Sequence, residues 1–433
     1  MSNMKQRLIM EHVGPIDWCE IFLNKMTVFD GSQAAGKSTV AKAIFFFRTV
    51  KNELSNLFFS AKGWTDPVIV QTAQDFLTQK FYQFFDFEHF GEDSLLYFEY
   101  SPDVKIEISK KTGKFLENKI LTWDNQPVKF SDKIIEWLLK QAEDSVNERT
   151  KIDLERELSD LFSDDKEIVY IPAGRSMLSI LSEALSHIFF HFDDDDKNLI
   201  DYCTTDYLSR VTKIKPQFKL TEGQYRYNFF KTDNDEFNPE FVMLIYEKIG
   251  RILKGRYKYA DGKEFLDVAG KEIKIKFASS GQQEVLWILN LIFYYLQRNK
   301  KACFIIEELE AHLYPNSQKD VTEFIALSLA YGNECIITTH SPYILGTLNN
   351  LTDARRLFDE GYNITRLLEE EQLTIKQLIG KENLSAYFFS NRAVQDATDK
   401  ENGLIRNEMI DDASDRINDF ADALFEIERG GKL

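Results

Sequence analysis

The sequence has only four cysteines, Cys19, Cys203, Cys303 and Cys335, in 433 residues, and no two form a C-x-x-C pair. That spacing excludes a disulfide scaffold and a cysteine zinc site. Cys303 and Cys335 lie in apolar strand-like runs and read as reduced core residues of a reducing compartment. The N-terminus lacks the charged-then-apolar pattern of a secretory signal. The longest apolar stretch, Val285 to Leu296, contains Asn290 and is too short to span a bilayer, so it reads as a buried helix. The expected location is cytoplasmic, with no membrane partner. No internal repeat and no sustained heptad run occurs, which argues against solenoids and long coiled-coil arms. Positive charge is in deficit: 53 Lys and Arg against 70 Asp and Glu give a net charge of −17. A protein coated in nucleic acid is excluded by that balance, whereas a local basic groove is not.

What is abundant is apolar: 43% of residues are hydrophobic and 35 are Phe, clustered as in Phe45-Phe46-Phe47 and Phe84-Phe85. A chain of this length and composition buries a large core and holds more than one domain or subdomain. The Phe clusters read as core rather than as base-stacking platforms.

The most informative segment is Gly31-Ser32-Gln33-Ala34-Ala35-Gly36-Lys37-Ser38-Thr39, which fits G-x-x-x-x-G-K-[ST]. Lys25 to Phe29 ahead of it reads as a strand, and Val40 to Phe45 behind it as a helix opening. In that setting backbone N–H groups cradle phosphates, Lys37 reaches the β- and γ-phosphates, and the Ser38 hydroxyl holds Mg²⁺.

Three further segments follow. Ala278-Ser279-Ser280-Gly281-Gln282-Gln283-Glu284 opens the long apolar helix, and a helix start of this kind favours anions or a simple Ser cap. Phe304-Ile305-Ile306-Glu307-Glu308 is an apolar strand ending in two acids. There Glu307 suits a metal ligand acting through water, and Glu308 suits the group that orients or deprotonates attacking water. Ile336-Ile337-Thr338-Thr339-His340-Ser341-Pro342 is a strand delivering His340 at its carboxyl end, where open α/β sheets bind ligands.

Along the chain, 7–13 and 20–29 read as two strands around Gly14-Pro15. Residues 50–90 read as mostly helical, 95–110 as strands, 131–163 as amphipathic helix and 168–171 as a strand. Residues 176–256 read as a mainly helical insertion or lid, and 257–277 as a hairpin or meander. Helix, strand, helix and strand then alternate to 338, implying a parallel sheet with crossover helices. The tail, 346–433, reads as helical and acidic, and the units expected are 1–175, 176–256, 257–345 and 346–433.

The order of these motifs resembles the ABC-type ATPase head shared by SMC, Rad50, RecF and OLD-family proteins. Glu307-Glu308-Leu309-Glu310-Ala311-His312-Leu313-Tyr314-Pro315 is similar to the E-E-P-E-A-H-L-H-P string of stand-alone and OLD-type bacterial ATPases of the AAA15/AAA21 type. Leu309 and Tyr314 depart from it, and the usual N-G-S-G-K-S loop is here Ser-Gln-Ala-Ala-Gly-Lys-Ser. The resemblance covers roughly 1–175 and 257–345. It implies an α/β P-loop NTPase with a mixed sheet, a helical insertion and a helical tail. It also implies ATP and Mg²⁺ held between two copies. One copy would supply Gly31 to Thr39, Glu307, Glu308 and His340, and the other Ser280, Gly281 and Gln282, with Ala311-His312-Leu313 crossing the interface.

A metal-loop glutamine is also implied, for which Gln71, Gln74, Gln79 and Gln83 are the candidates. Ile171-Pro172-Ala173-Gly174-Arg175 resembles the group's I-P-A-x-R segment. There Arg175 either reaches nucleotide or partner or shapes a turn. Compact ATPases of this kind resemble the ATPase components of anti-phage systems such as PARIS and Septu, which control a separate toxin or nuclease. Two alternatives stand beside that role. One is a DNA-clamping repair or recombination ATPase of the RecF or Rad50 kind. The other is an ATP-dependent scaffold with little turnover. For DNA the candidate track is Lys248, Arg251, Lys254, Arg256 and Lys258 with Tyr257 and Tyr259 between, which equally suits a solvated helix face. The run Asp193 to Asp196 reads as a solvated acidic loop.

Overall fold

The computed structural model describes residues 5–60, 68–85, 90–91, 93–109, 127–143, 150–178, 201–219 and 239–406. The acidic run at 193–196 and the end of the tail, 407–433, lie outside them.

The chain begins with strands β1 (Arg7–Val13), β2 (Ile16–Phe22) and β3 (Met26–Gly31), followed by helices α1 (Lys37–Ser60) and α2 (Val68–Tyr82). Next come β4 (Leu95–Ser101), β5 (Val104–Ser109), β6 (Val128–Phe130), α3 (Asp132–Glu143), α4 (Lys151–Leu161) and β7 (Glu167–Ile171). Helices α5 (Tyr202–Ile214) and α6 (Pro239–Leu253) precede β8 (Arg256–Ala260), β9 (Lys263–Val268) and β10 (Lys271–Lys274). The alternating part is α7 (Ser280–Gln297), β11 (Ala302–Ile306), α8 (Pro315–Leu329), β12 (Glu334–Thr338) and α9 (Pro342–Asp359). Helix α10 (Thr365–Glu370) and strands β13 (Leu384–Ser390) and β14 (Ala393–Asp396) complete the described elements.

Eleven strands form one sheet in the order β6-β5-β4-β1-β2-β14-β13-β3-β12-β11-β7. The block β13-β3-β12-β11-β7 is parallel, so its carboxyl ends share one edge. The remaining strands add an antiparallel wing through β1, β2, β4, β5 and β6. The meander expected at 257–277 is present as a separate antiparallel sheet, β10-β9-β8.

Strand alternation sends side chains to two cores, one on each face. Met26, Val28, Val169, Ile171, Phe304, Ile306, Cys335 and Ile337 join the core that holds α7. Phe29, Ile168, Tyr170, Cys303, Ile305 and Ile336 join the core built on Phe45, Phe46 and Phe47 of α1. Burial on both faces is why these strands read as unbroken apolar runs. The Phe residues are core, as expected. All four cysteines are buried and unpaired. Among the described residues no helix is long and apolar enough to cross a membrane.

Three expectations are corrected. The strand expected at 20–29 is two strands. The Asn24 N–H donates to Thr27 Oγ1 at 2.9 Å, closing a turn that takes the chain from the antiparallel wing into the parallel block. The stretch 176–256 is not a lid in its described parts. Tyr207, Leu208 and Val211 of α5 and Ile245, Ile249 and Ile252 of α6 pack into the core beneath Met26 and Val28. Nor is the tail helical throughout. After α9 and α10 the run Leu384 to Phe389 enters the main sheet beside β3 as β13, with all but Phe388 of these buried. A short apolar-aromatic run covered on both sides is stable as a strand, whatever the charge of its flanks. The sheet thus draws strands from 1–175, 257–345 and 346–433.

Candidate functional site

The carboxyl edge of the parallel block gathers three loops. The first is 31–39, between β3 and α1. Gly31 has φ +133° and Gly36 φ +100°, conformations that side chains rarely adopt. A Cβ on Gly36 would lie 2.4 Å from Ile16 Cδ1, so the β1–β2 turn also packs directly against the loop. Ala34 is left-handed as well, at φ +59°. Ser32, Gln33, Ala34 and Ser38 are exposed, Ala35 and Thr39 half-buried. The Lys37 ammonium is buried and donates to the carbonyls of Gly31 and Ser32, both at 2.8 Å. Burial pushes its pKa down, against the opposing charges of Asp30, Glu310 and Glu308. Asp30 in turn is pushed up by burial, opposed by the Gly31 N–H, Lys37 and His340.

The second loop follows β11. Glu307 is buried; its Oε2 accepts from the Ala173 N–H at 3.2 Å, while Oε1 is buried with no hydrogen-bond partner among the described residues. Burial and the neighbouring Glu307 charge raise the Tyr170 hydroxyl well above its ordinary pKa. Glu308 is exposed and left-handed, at φ +44°. Such a backbone costs of the order of 1–3 kcal/mol and persists only where surroundings enforce it. Here the Thr338 hydroxyl accepts the Glu308 N–H at 2.9 Å, the Thr338 carbonyl accepts the Leu309 N–H at 3.3 Å, and Arg175 holds the Glu308 carbonyl at 3.0 Å.

The third loop follows β12. The Glu310 carboxylate accepts from the Thr339 hydroxyl at 2.8 Å and from the His340 N–H at 2.5 Å. Glu310 therefore ties the acidic loop to the histidine loop. Lys37, Glu308 and His340 are brought together with Glu310 and Asp30, two acids to which sequence reasoning gave no role. The signal for both was present, since Asp30 directly precedes the glycine-rich loop and Glu310 lies within the string that begins at Glu307.

The remaining expected residues sit as follows. Ser279 caps α7 in a reciprocal box with Gln282, whose Nε2 donates to the Leu253 carbonyl at 2.8 Å. The Gln282 side chain is thus occupied within the fold. Ser280 is exposed, and Gly281 lies where a Cβ would be 2.7 Å from the His312 carbonyl. Among the described residues no hydrogen bond or ion pair connects Ser280, Gly281 or Gln282 to residues 31–39. Of the glutamines, Gln71, Gln79 and Gln83 are exposed; Gln74 is buried and donates to the Val128 carbonyl at 2.9 Å, on β6 of the antiparallel wing. Arg175 is fully buried and bonds only within the fold, as detailed below. The basic zone is largely committed. Lys248 donates to the Gln372 carbonyl, Arg251 to the Gln372 side chain and Lys258 to Glu272, while the Arg256 guanidinium lies over Tyr246.

A cation would find a fitting ligand in Glu307 Oε1, a buried carboxylate oxygen near the Tyr170 hydroxyl that meets no geometrically sound hydrogen-bond partner among the described residues. Mg²⁺ keeps most of its shell as water and phosphate oxygen, so one carboxylate and the Ser38 hydroxyl are enough protein ligands.

A glycine-turned loop with a buried lysine, opposite an acidic strand end on a parallel sheet, defines a P-loop ATPase. The AAA_15 family, described as AAA ATPase domain, matches residues 14–345, and the chain belongs to that family. No curated protein matches the chain. Similar solved structures include an SMC head bound to the C-winged helix domain of ScpA, at 12% identity and TM-score 0.39, covering 90% of this chain and 95% of that one. The SMC head domain from Thermotoga maritima is 9% identical with TM-score 0.35, covering 91% and 98%. An SMC head with an extended coiled coil, bound to the C-terminal domain of ScpA derived from Pyrococcus furiosus, is 12% identical with TM-score 0.35, covering 90% and 94%. At such scores these likenesses bear no further weight.

Proposed function

We propose that the protein binds and slowly hydrolyses ATP in a site closed by a second copy of itself. The observation that carries this is the charge cluster at one sheet edge, where Asp30, Glu308 and Glu310 act on the buried Lys37. Residues 31–39 would hold the phosphates, with Lys37 leaving the Gly31 and Ser32 carbonyls for phosphate oxygens. Ser38 and Glu307 would hold Mg²⁺, which neutralises charge on the transferring phosphoryl group. Glu308 would orient water and accept its proton, and His340, positioned by Glu310, would stand beside the γ-phosphate. The exposed start of α7 supports the second-copy reading: the Ser279 cap takes the Gln282 N–H and leaves those of Ser280 and Gly281 for an anion, and among the described residues neither of the two bonds to loop 31–39.

The test is a Glu308→Gln protein. Phosphate release should fall about 10²–10⁴-fold with ATP binding retained; unchanged turnover refutes the assignment. The finer role, control of a separate toxin or nuclease in anti-phage defence, is supported by the motif resemblance. It predicts that, when the protein is co-expressed with a toxin or nuclease under its control, toxicity depends on Lys37. The DNA-clamp reading is less well supported, because Lys248, Arg251 and Lys258 already have partners within the fold.

A further inference from the structure

Among the described residues, Arg175 is the one guanidinium that touches both the acidic strand end after β11 and helix α7. It is 0% exposed. Its Nη1 donates to the carbonyls of Pro172 at 3.0 Å and Glu307 at 2.5 Å, and its Nη2 to the carbonyl of Glu308 at 3.0 Å. On the other side, Nε reaches the Glu284 carbonyl and pairs with the Glu284 carboxylate, both at 3.2 Å. The same carboxylate accepts the Ser176 N–H at 3.1 Å. Segment 173–176 is thus fastened at one end to Glu307, through Ala173, and at the other to Glu284.

Glu284 stands one helical turn after Ser280 on α7, on the same face. A rigid helix transmits displacement along its length. An anion drawing on the N–H groups at the start of α7 therefore pulls on Glu284. Through the Arg175 fork, that pull reaches the Glu307 and Glu308 carbonyls, and with them the left-handed backbone of Glu308. A bidentate planar donor suits this link, because its geometry fixes both partners together.

We propose that Arg175 and Glu284 couple the two ATP sites of a dimer. This rests on the second-copy reading above. In that arrangement the Ser280 end of a subunit closes the partner's nucleotide site, while its Glu308 serves its own. Arg175 lies between the two, as a positioning residue. Engagement of one nucleotide then sets the catalytic carboxylate facing the other, and hydrolysis becomes cooperative in ATP.

The experiment measures steady-state hydrolysis against ATP concentration for wild type, Glu284→Gln and Arg175→Lys, with dimer formation followed by light scattering. Wild type should dimerise with Mg·ATP and show a Hill coefficient approaching about 2, the number of coupled sites. Both variants should still dimerise, with half-saturating ATP within about threefold, a Hill coefficient near 1 and turnover lower by about tenfold. A purely structural role would lower the melting temperature or the active fraction and leave the Hill coefficient alone. Should one variant fail to fold, the other decides. A cooperative wild type with equally cooperative variants overturns the coupling and leaves the dimer standing. A non-cooperative wild-type dimer overturns the coupling too. A wild type that stays monomeric in ATP overturns the dimer reading itself.

Discussion

The Phe389 carbonyl oxygen accepts the Ser32 N–H at 3.1 Å and occupies the space where a side chain on Gly31 would begin, 2.1 Å from its Cβ position. Strand β13 therefore braces the first glycine of the phosphate loop. Gly31→Ala should lose nucleotide binding by more than about tenfold and destabilise the fold by about 1–3 kcal/mol, through both the clash and the φ of +133°. Calorimetric titration with Mg·ATP and thermal unfolding check this. An alanine protein that binds normally would show that the brace yields without cost.

Glu310 holds the histidine loop by a side chain-to-backbone bond rather than by touching a reacting atom. Glu310→Ala should leave the Thr339 hydroxyl and the His340 N–H without their shared acceptor. The expected result is a kcat lower by about 10- to 100-fold with KM changed much less, the pattern of a lost transition-state arrangement. A rise in KM at unchanged kcat would instead make Glu310 a ground-state binding residue.

At the opposite end of the parallel strands, the Arg48 guanidinium bonds both oxygens of Asp164, at 2.8 and 3.0 Å, with both side chains buried. Burial alone would push the Asp164 pKa up; Arg48 and Lys51 outweigh it and hold the carboxyl well below its usual range. A depressed carboxylate contributes stability that is complete above its unfolded pKa and drains away as pH falls towards the folded one. Asp164→Asn should therefore cost about 1–3 kcal/mol at neutral pH, because the buried Arg48 then keeps the Glu334 carboxylate as its ionised partner but loses the bidentate one. The gap from wild type should narrow only below about pH 4. Denaturant melts at several pH values read this directly, and a gap independent of pH contradicts it.

Lys248 and Arg251 of α6 anchor the turn after α10 at Gln372. Removing both should lower the melting temperature by several degrees, by the loss of two hydrogen bonds to a charged donor. Duplex DNA titrated at increasing salt should show a shallow slope, fewer than about two phosphates' worth. A steep slope lost with Lys254 and Arg256 would restore the DNA-clamp alternative.

Much of this was legible in the sequence, for identifiable reasons. Gly31 and Gly36 sit at positions that only glycine fills without strain, so the loop declares itself in the residue pattern. Ile305, Ile336 and Val28 are covered on both faces, so parallel strands appear as apolar runs. The strand at Leu384 to Phe389 did not declare itself. It pairs with β3, more than 350 residues earlier, and no local pattern encodes so distant a partner. Likewise the helices of 176–256 look like an insertion along the chain, while Tyr207 and Ile245 belong to the core under β3. Arg175 could be read as turn or ligand from sequence; only the carbonyls of Pro172, Glu307 and Glu308 around it settle that it is internal.

The most direct test of the central claim, a nucleotide site completed by a second copy, is specific ATPase activity measured across protein concentration, for wild type and for Ser280→Arg. Turnover per chain should rise with concentration until the dimer saturates. The Ser280→Arg protein should bind Mg·ATP with wild-type affinity, stay monomeric and hydrolyse poorly at every concentration. Activity per chain that is flat with dilution, and equal in the variant, would contradict the account.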